Sequence, residues 1–324
     1  MKISVIIPVK NRAHLIGETL NSIFNQTLKP YEVIVVDDES DDDLTAVLQK
    51  FGPKIKLLRN SGHGPGAGRN TGLKAATGDA IQFFDSDDLM SENKFEVQAE
   101  LLNKEKADFV YGPYARAILN NNKWERTDAI MQYKPLPGRS LKNLVLEGWC
   151  LTQTVLFRTD FLKRVGFWNE DLPAYEDFEY GFRIAKYSTK QVHETQSFVL
   201  YREHADQLTQ FQKGLEKKIN NQLHAYALIK GGIDFTPQLH SYLVFLGTIA
   251  SAKKFSNKAK ILPQKFPLTP FDHLSALYHR VITKVSLLRT GNGWRRIYGA
   301  VESEELFQKY LRQINTNTNY PNHN

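Results

Sequence analysis

Two rhythms of apolar residues alternate along the first two hundred positions. Residues 3–9 (ISVIIPV) form a near-continuous apolar run, the pattern of a strand buried on both faces of a parallel sheet. In residues 13–25, Leu15, Ile16, Leu20, Ile23 and Phe24 recur near helical spacing. A second buried strand, EVIVVDD at 32–38, ends in carboxylates, and Asp41 to Asp43 suit the start of the helix that follows it. Residues 54–60 (KIKLLRN) predict a third strand, and GRNTGLKAAT starts another helix. A fourth strand, AIQFFDSDD at 80–88, again ends in acids; a helix over about 93–104 and a strand over 107–118 follow. This βαβαβαβ order predicts an α/β fold, an open and mostly parallel twisted sheet flanked by helices. Ligands of such sheets sit outside the carboxyl ends of the strands, where Asp37–Asp38 and Asp85–Asp88 both fall.

Beyond residue 118 the pattern changes. NNNKW reads as a hairpin turn or loop and KPLPGRS as a connector, while past residue 211 long segments carry helical periodicity. Charge divides the chain at the same place. Residues 1–210 hold 26 Lys and Arg against 29 Asp and Glu, and residues 211–324 hold 16 against 6. The expected organisation is a catalytic domain over 1–210, a basic helical region over 211–313 and a disordered tail over 314–324.

Composition narrows the classes. Of 324 residues, 41% are hydrophobic and 24% charged, enough apolar mass for a sizeable core and outside the range of disordered or collagen-like chains. Cys150 is the single cysteine, so no intramolecular disulfide forms; it reads as buried filler rather than a nucleophile, since no local motif favours the reactive reading. No run reaches the ~18 apolar residues of a spanning helix. The first apolar run ends in Pro and charge rather than a small-residue cleavage site, so a cytoplasmic location is expected.

Four segments carry candidate chemistry. In DSDD, Asp85 and Asp87 stand two apart at a strand end and can project together; packed carboxylates invite a hard cation such as Mg²⁺ or Mn²⁺. The alternative is a solvated acidic loop that caps the next helix. NSGHGPGAGRNTG at 60–72 holds five glycines within eleven residues. It is either a backbone that approaches a ligand closely, with Arg69 facing a phosphate, or a flexible surface loop. It is neither the dinucleotide fingerprint nor a P-loop. In PAYEDFEYGFRIA, Glu176, Asp177 and Glu179 open a helix, where a carboxylate could serve as general base or simply meet the helix dipole. YREHADQLT places Arg202 and His204 after an apolar strand.

In order and spacing, SVIIPVKNR, VIVVDDES, GRNTGL, FFDSDD, YEDFEYGFRIA and YREHADQLT resemble the motif series of family-2 glycosyltransferases with the GT-A fold, over residues 2–210. The resemblance implies an inverting, metal-dependent transfer of a sugar from a nucleotide-sugar donor, UDP-linked in the usual case. The acceptor would be a hydroxyl of a glycan, glycolipid or glycoprotein. By the same resemblance Pro8, Val9 and Arg12 lie on the nucleotide, Asp38 accepts from the base, and Arg69 contacts the nucleotide. Asp85 and Asp87 form the DxD pair that touches the ribose and, through Asp87, holds Mn²⁺ or Mg²⁺ with His204 completing its shell, while Ser86 between them lies on the donor. Arg202 would steady the diphosphate. Asp177, paired with Glu176 at the catalytic position, would be the base. Trp149, in the segment where acceptors bind, is a sugar platform or a core residue.

The expected partners are the nucleotide-sugar donor and a carbohydrate or lipid-linked acceptor. The basic region is a peripheral membrane contact at the inner face, an anionic-partner surface or a solvated cap. No nucleic-acid-binding module is present in the sequence. The competing reading is a non-catalytic nucleotide- or glycan-binding scaffold of the same fold; a nicotinamide oxidoreductase is opposed by the missing GxGxxG.

Overall fold

The structure, a computed structural model, describes residues 1–120, 123–126, 152–172 and 176–204. Trp149, Cys150 and the regions 211–313 and 314–324 lie outside the described residues. Among those described, no helix is long and apolar enough to cross a membrane.

The apolar runs become the centre of a seven-stranded sheet. Its strands are β1 (Ile3–Val9), β2 (Glu32–Asp37), β3 (Ile55–Arg59), β4 (Ala80–Phe83), β6 (Phe109–Tyr111), β9 (Val155–Arg158) and β10 (Gln191–His193), in the order β10-β6-β9-β4-β1-β2-β3. Strands β1, β2, β3 and β4 run parallel, with Val9 opposite Asp37 at the carboxyl edge. Only β9 opposes its neighbours, pairing antiparallel with both β4 and β6. Because strand side chains alternate, β1 serves two cores. Ile3, Val5 and Ile7 pack with Ile16, Leu20 and Ile23 of α1 (Ala13–Phe24) on one face. Ile6 faces the other side with Phe83, Phe109, Phe157 and Trp168. Each such fully buried side chain contributes roughly 1.5–3 kcal/mol of transfer free energy.

A second, four-stranded sheet has the order β5-β11-β7-β8, formed by β5 (Leu89–Met90), β7 (Tyr114–Asn120), β8 (Lys123–Arg126) and β11 (Val199–Glu203). The stretch 107–118, expected as one strand, is therefore two, parted at Gly112–Pro113 and belonging to different sheets. Proline has no N–H to donate to a ladder, which favours a break there. Of the NNNKW segment, Asn120 ends β7 opposite Lys123 of β8 in an antiparallel pair.

Two helix starts differ from expectation. Helix α2 (Leu44–Gln49) follows Asp43, whose side chain makes no capping bond. Asp42 instead accepts the Ala13 N–H at 2.7 Å and caps α1 from a distance of 29 residues in sequence. The glycine-rich segment is helical along most of its length rather than a flexible loop: α3 (Gly64–Ala75) begins at Gly64. Two of its glycines admit β1. A Cβ on Gly72 would lie 2.3 Å from Ile6 Cγ2, and one on Gly68 would lie 2.9 Å from Pro8 Cβ. The remaining helices are α4 (Lys94–Lys104), α5 (Thr159–Val165) and α6 (Glu176–Tyr187).

Candidate functional site

The carboxyl edge of the parallel strands gathers the predicted residues. Beyond β1, Asn11 takes a left-handed backbone (φ 52°), and beyond β2 so does Glu39 (φ 60°). The two turns lock together: Asn11 N–H donates to Ser40 Oγ at 3.0 Å, and Asp41 N–H donates to Asn11 Oδ1 at 2.7 Å. Such φ values are uncommon for residues with a Cβ, and asparagine bears them best. Val9 and Pro8 end β1 beneath these turns, and Val9 O accepts the Asp38 N–H at 2.8 Å.

Asp38 is buried at the mouth of α3. Its carboxylate accepts from Asn60 Nδ2 at 2.7 Å and from Gly64 N–H at 3.0 Å, with Lys10 Nζ 3.8 Å away. Gly64 takes φ 82°, which glycine adopts without penalty, and this aims its N–H at Asp38. Asn60 had no role in the sequence reading; its place at the end of β3, beside Asp37 and Asp38 of the neighbouring strand, was the available signal.

Arg69 lies in the second turn of α3, buried under the edge. One guanidinium nitrogen donates to Glu176 Oε1 and another to Asp85 Oδ1, each at 3.0 Å. Its guanidinium carbon stands 4.5 Å from the Trp168 ring centre, and Trp168 stacks on Tyr180 at 4.0 Å. The salt bridges therefore form against an aromatic wall, where a cation gains from the ring face as well as from the carboxylates. Burial disfavours the Arg69 charge, but Asp85, Glu176 and Asp177 outweigh it and raise its pKa.

Glu176, Asp177 and Glu179 occupy the first turn of α6. Glu176 is consumed by Arg69, and Glu179 pairs with Arg183 one turn on at 2.6 and 2.8 Å. Asp177 is exposed, while its charge is close enough to act on Arg69. One helix start thus carries an acid tied inward and an acid facing out.

The DSDD turn connects β4 to β5. Asp87 Oδ2 faces His204 Nε2 at 3.0 Å and Arg12 Nε at 3.3 Å. Burial raises its pKa, but the His204 hydrogen bond and the charges of His204, Arg12 and Arg202 prevail and hold Asp87 below the usual carboxylate range. Asp85 is shifted the other way: burial pushes it up, and Asp87 adds to this against the pull of Arg69. Asp88 is pushed well up by burial and by its two acidic neighbours. Ser86 is buried, and its carbonyl accepts from Thr19 Oγ1 at 3.0 Å.

Arg202 sits on β11 with no exposed side-chain surface. Its guanidinium donates to Glu18 Oε2, to the Asp87 carbonyl, to Leu15 O at 3.2 Å and to Thr19 Oγ1 at 3.1 Å, beneath the Trp124 ring. It joins α1 to the DSDD turn from below. Glu18 and Trp124 had no signal in the sequence, since both depend on where the second sheet folds.

Asp87 and His204 could hold a divalent cation, with Asp85 beside them: the carboxylates suit Mg²⁺ or Mn²⁺, and the His204 nitrogen suits the softer Mn²⁺ better than Mg²⁺. Among the described residues no group of three or more His, Cys, Asp or Glu side chains is arranged to enclose an ion unaided. Magnesium commonly takes one or two protein carboxylates and completes its shell from phosphates and water.

The edge of this open α/β sheet thus gathers acids and arginines outside the carboxyl ends of the strands, where ligands of such sheets sit. Residues 4–165 match the sequence model of glycosyl transferase family 2, half of the chain, and the protein belongs to that family. UDP-Glc:alpha-D-GlcNAc-diphosphoundecaprenol beta-1,3-glucosyltransferase WfgD of Escherichia coli is 40% identical over 122 residues, 37% of this chain and 47% of that protein. The poly(ribitol-phosphate) beta-glucosyltransferase of Bacillus spizizenii is 47% identical over 96 residues, 27% of this chain and 15% of that one. The aligned stretches span less than half the length of the first curated relatives. Among solved structures, S. aureus TarS 1–349 in complex with UDP-GlcNAc superposes with a TM-score of 0.62 at 21% identity, over 99% of this chain and 93% of that one. That likeness is one of fold, and it agrees with the GT-A architecture.

Proposed function

We propose that the protein is an inverting glycosyltransferase that moves a sugar from a UDP-linked donor to an acceptor hydroxyl. The observation that carries this reading is the Arg69 bridge. A single guanidinium joins Asp85 of the DSDD turn to Glu176 at the start of α6, each at 3.0 Å. The donor-side acids and the acid pair of α6, 91 positions apart from Asp85 to Glu176, are thereby held one side chain from each other.

In this reading the base lies against Asp38 and the ribose along Asp85 and Ser86. Asp177, exposed beside the bridged Glu176, accepts the proton of the acceptor hydroxyl. The oxygen attacks the anomeric carbon, the bond from that carbon to the diphosphate oxygen breaks, and the electron pair leaves with UDP. One displacement inverts the anomeric centre, so no covalent intermediate is needed, unlike the route of a retaining glycosidase. Asp87 and His204 would hold Mn²⁺ or Mg²⁺, which when bound neutralises charge on the leaving diphosphate. Arg12, on Asp87, stands where it can turn toward the same phosphates.

The WfgD relative is named for a diphosphoundecaprenol acceptor and the Bacillus relative for poly(ribitol phosphate). Both names describe acceptors that carry phosphate. The excess of Lys and Arg over residues 211–324 fits an acceptor of that kind, a phosphate-bearing glycan or a lipid-linked sugar.

Thermal shift tests the donor class: UDP with Mn²⁺ raises the melting temperature and NAD does not. Asp177→Asn then retains UDP affinity within about threefold while transfer falls by 10²–10⁴, the usual range for loss of a general base. Wild-type transfer rates in that variant would remove Asp177 as the base, and stabilisation by NAD alone would remove the donor class.

A further inference from the structure

Asp88 closes the DSDD turn; it is the last residue of the FFDSDD motif, and neither the resemblance nor the mechanism gives it a role. It is 1% exposed. Its Oδ1 accepts the backbone N–H of Arg202 at 2.9 Å, and its Oδ2 accepts Gln153 Nε2 at 2.6 Å. The strand held through Arg202 is β11, and His204 follows two residues later with its Nε2 on Asp87. Asp88 therefore fixes the backbone that carries the imidazole onto the neighbouring acid.

Gln153 is itself held firmly. It lies in the short 3-10 turn Thr152–Thr154, and its carbonyl accepts Gln82 Nε2 at 3.0 Å. Gln82 Oε1 accepts from Lys94 Nζ, and Lys94 also donates to Gln98 Oε1 at 2.8 Å. Gln98 Nε2 reaches Thr154 O at 3.1 Å and Glu194 Oε1 at 3.0 Å. These buried groups tie the turn to β4, to α4 and to the segment that enters β11. A connected and buried polar network of this kind rigidifies what it touches, because a partner lost there leaves another group unpaired.

We propose that Asp88 and Gln153 are positioning residues, a buried brace that sets His204 against Asp87 at the separation a diphosphate-bound cation requires. The inference rests on the nucleotide-sugar reading above. Groups behind a metal site commonly alter its affinity by 10–100-fold without touching the ion.

Calorimetric titration of the full-length protein with UDP, once with MnCl₂ and once with EDTA, separates the two ideas. Gln153→Met keeps the side-chain length and removes the amide. It is expected to lower UDP affinity with Mn²⁺ by about tenfold and to leave affinity in EDTA within about twofold. Asp88→Ala alone should do the same, because it leaves the Arg202 N–H and Gln153 Nε2 without their acceptors. Asp88→Asn combined with Gln153→Glu exchanges the carboxylate and the amide, re-forms the bond and should restore most of the Mn²⁺ increment. This exchange pair carries the test if Gln153→Met does not fold. A full Mn²⁺ increment in Gln153→Met, or no recovery in the exchanged pair, overturns the brace. Wild-type protein that binds UDP equally in both buffers also overturns it and leaves the nucleotide reading standing. Failure of the wild type to bind UDP in either buffer overturns that reading instead.

Discussion

Replacing Arg69 by methionine tests the central bridge. The substitution keeps much of the buried volume against Trp168 and removes the charge shared by Asp85 and Glu176. Breaking a buried pair from one side costs about 3–5 kcal/mol, because the surviving carboxylate stays buried without compensation. Glu176, with 11% of its side chain exposed, bears that cost in full. Asp85 is 31% exposed, so water screens part of its share, and its contribution belongs nearer the ~1 kcal/mol of a solvated pair. The expected loss is therefore about 4–6 kcal/mol near neutral pH, read from urea unfolding with linear extrapolation.

The pH dependence has a definite sign. Burial already lifts the Asp85 carboxyl above its ordinary range, and Arg69 is the main opposing influence. Without Arg69 the carboxyl rises further. A group whose folded pKa is raised binds more protons in the folded state, so its stabilisation is present at low pH and is lost as pH rises through that pKa. The deficit of Arg69→Met should thus be larger at about pH 8 than at about pH 5. A deficit below about 1 kcal/mol at neutral pH, or one that grows as the solution is acidified, would refute the assignment of a charged bridge.

Two further perturbations probe the scaffold. Gly72→Ala should destabilise by about 1–3 kcal/mol through overpacking, because the new methyl would meet Ile6 Cγ2 at 2.3 Å. In an Ile6→Ala background the same change should cost far less, and strict additivity in urea melts would reject the close approach of α3 to β1. Lys94, enclosed by Gln82 and Gln98, has its pKa pulled down by burial to about 7 from 10.5, Glu194 opposing. The unfolded chain then holds more protons between those values, so wild-type stability should rise from pH 7 toward pH 10 in this group's contribution. Lys94→Met should abolish that rise; an unchanged pH profile would show that Lys94 is not the group responsible.

Much of the parallel sheet was legible because its strands are buried on both faces. ISVIIPV, EVIVVDD and AIQFF are continuous apolar runs that end in acids or turn residues, and local sequence suffices to mark them. The acids of the edge were legible for the same reason, since Asp38 and Asp85 to Asp88 follow such runs and Glu176 and Asp177 open a helix. The glycines of 60–72 were visible, but their purpose was not. A glycine reads identically whether it faces a ligand or a strand, and only the position of Ile6 and Pro8 shows that Gly72 and Gly68 admit β1.

The tertiary structure alone decided which charges meet. Arg202 was visible as an arginine after a strand, yet its burial depends on α1 supplying Glu18 and on β8 supplying Trp124, from 184 and 78 positions away. Asp88 and Gln153 bond across 65 positions, and Arg69 and Glu176 across 107. Periodicity describes how one element faces its own core, whereas a hydrogen bond between elements depends on their packed distance and angle. The sequence by itself therefore determined the parallel strands β1 to β4, the acidic edge and the family; the packing of the second sheet and of α6 determined the pairings that would give those acids their separate tasks.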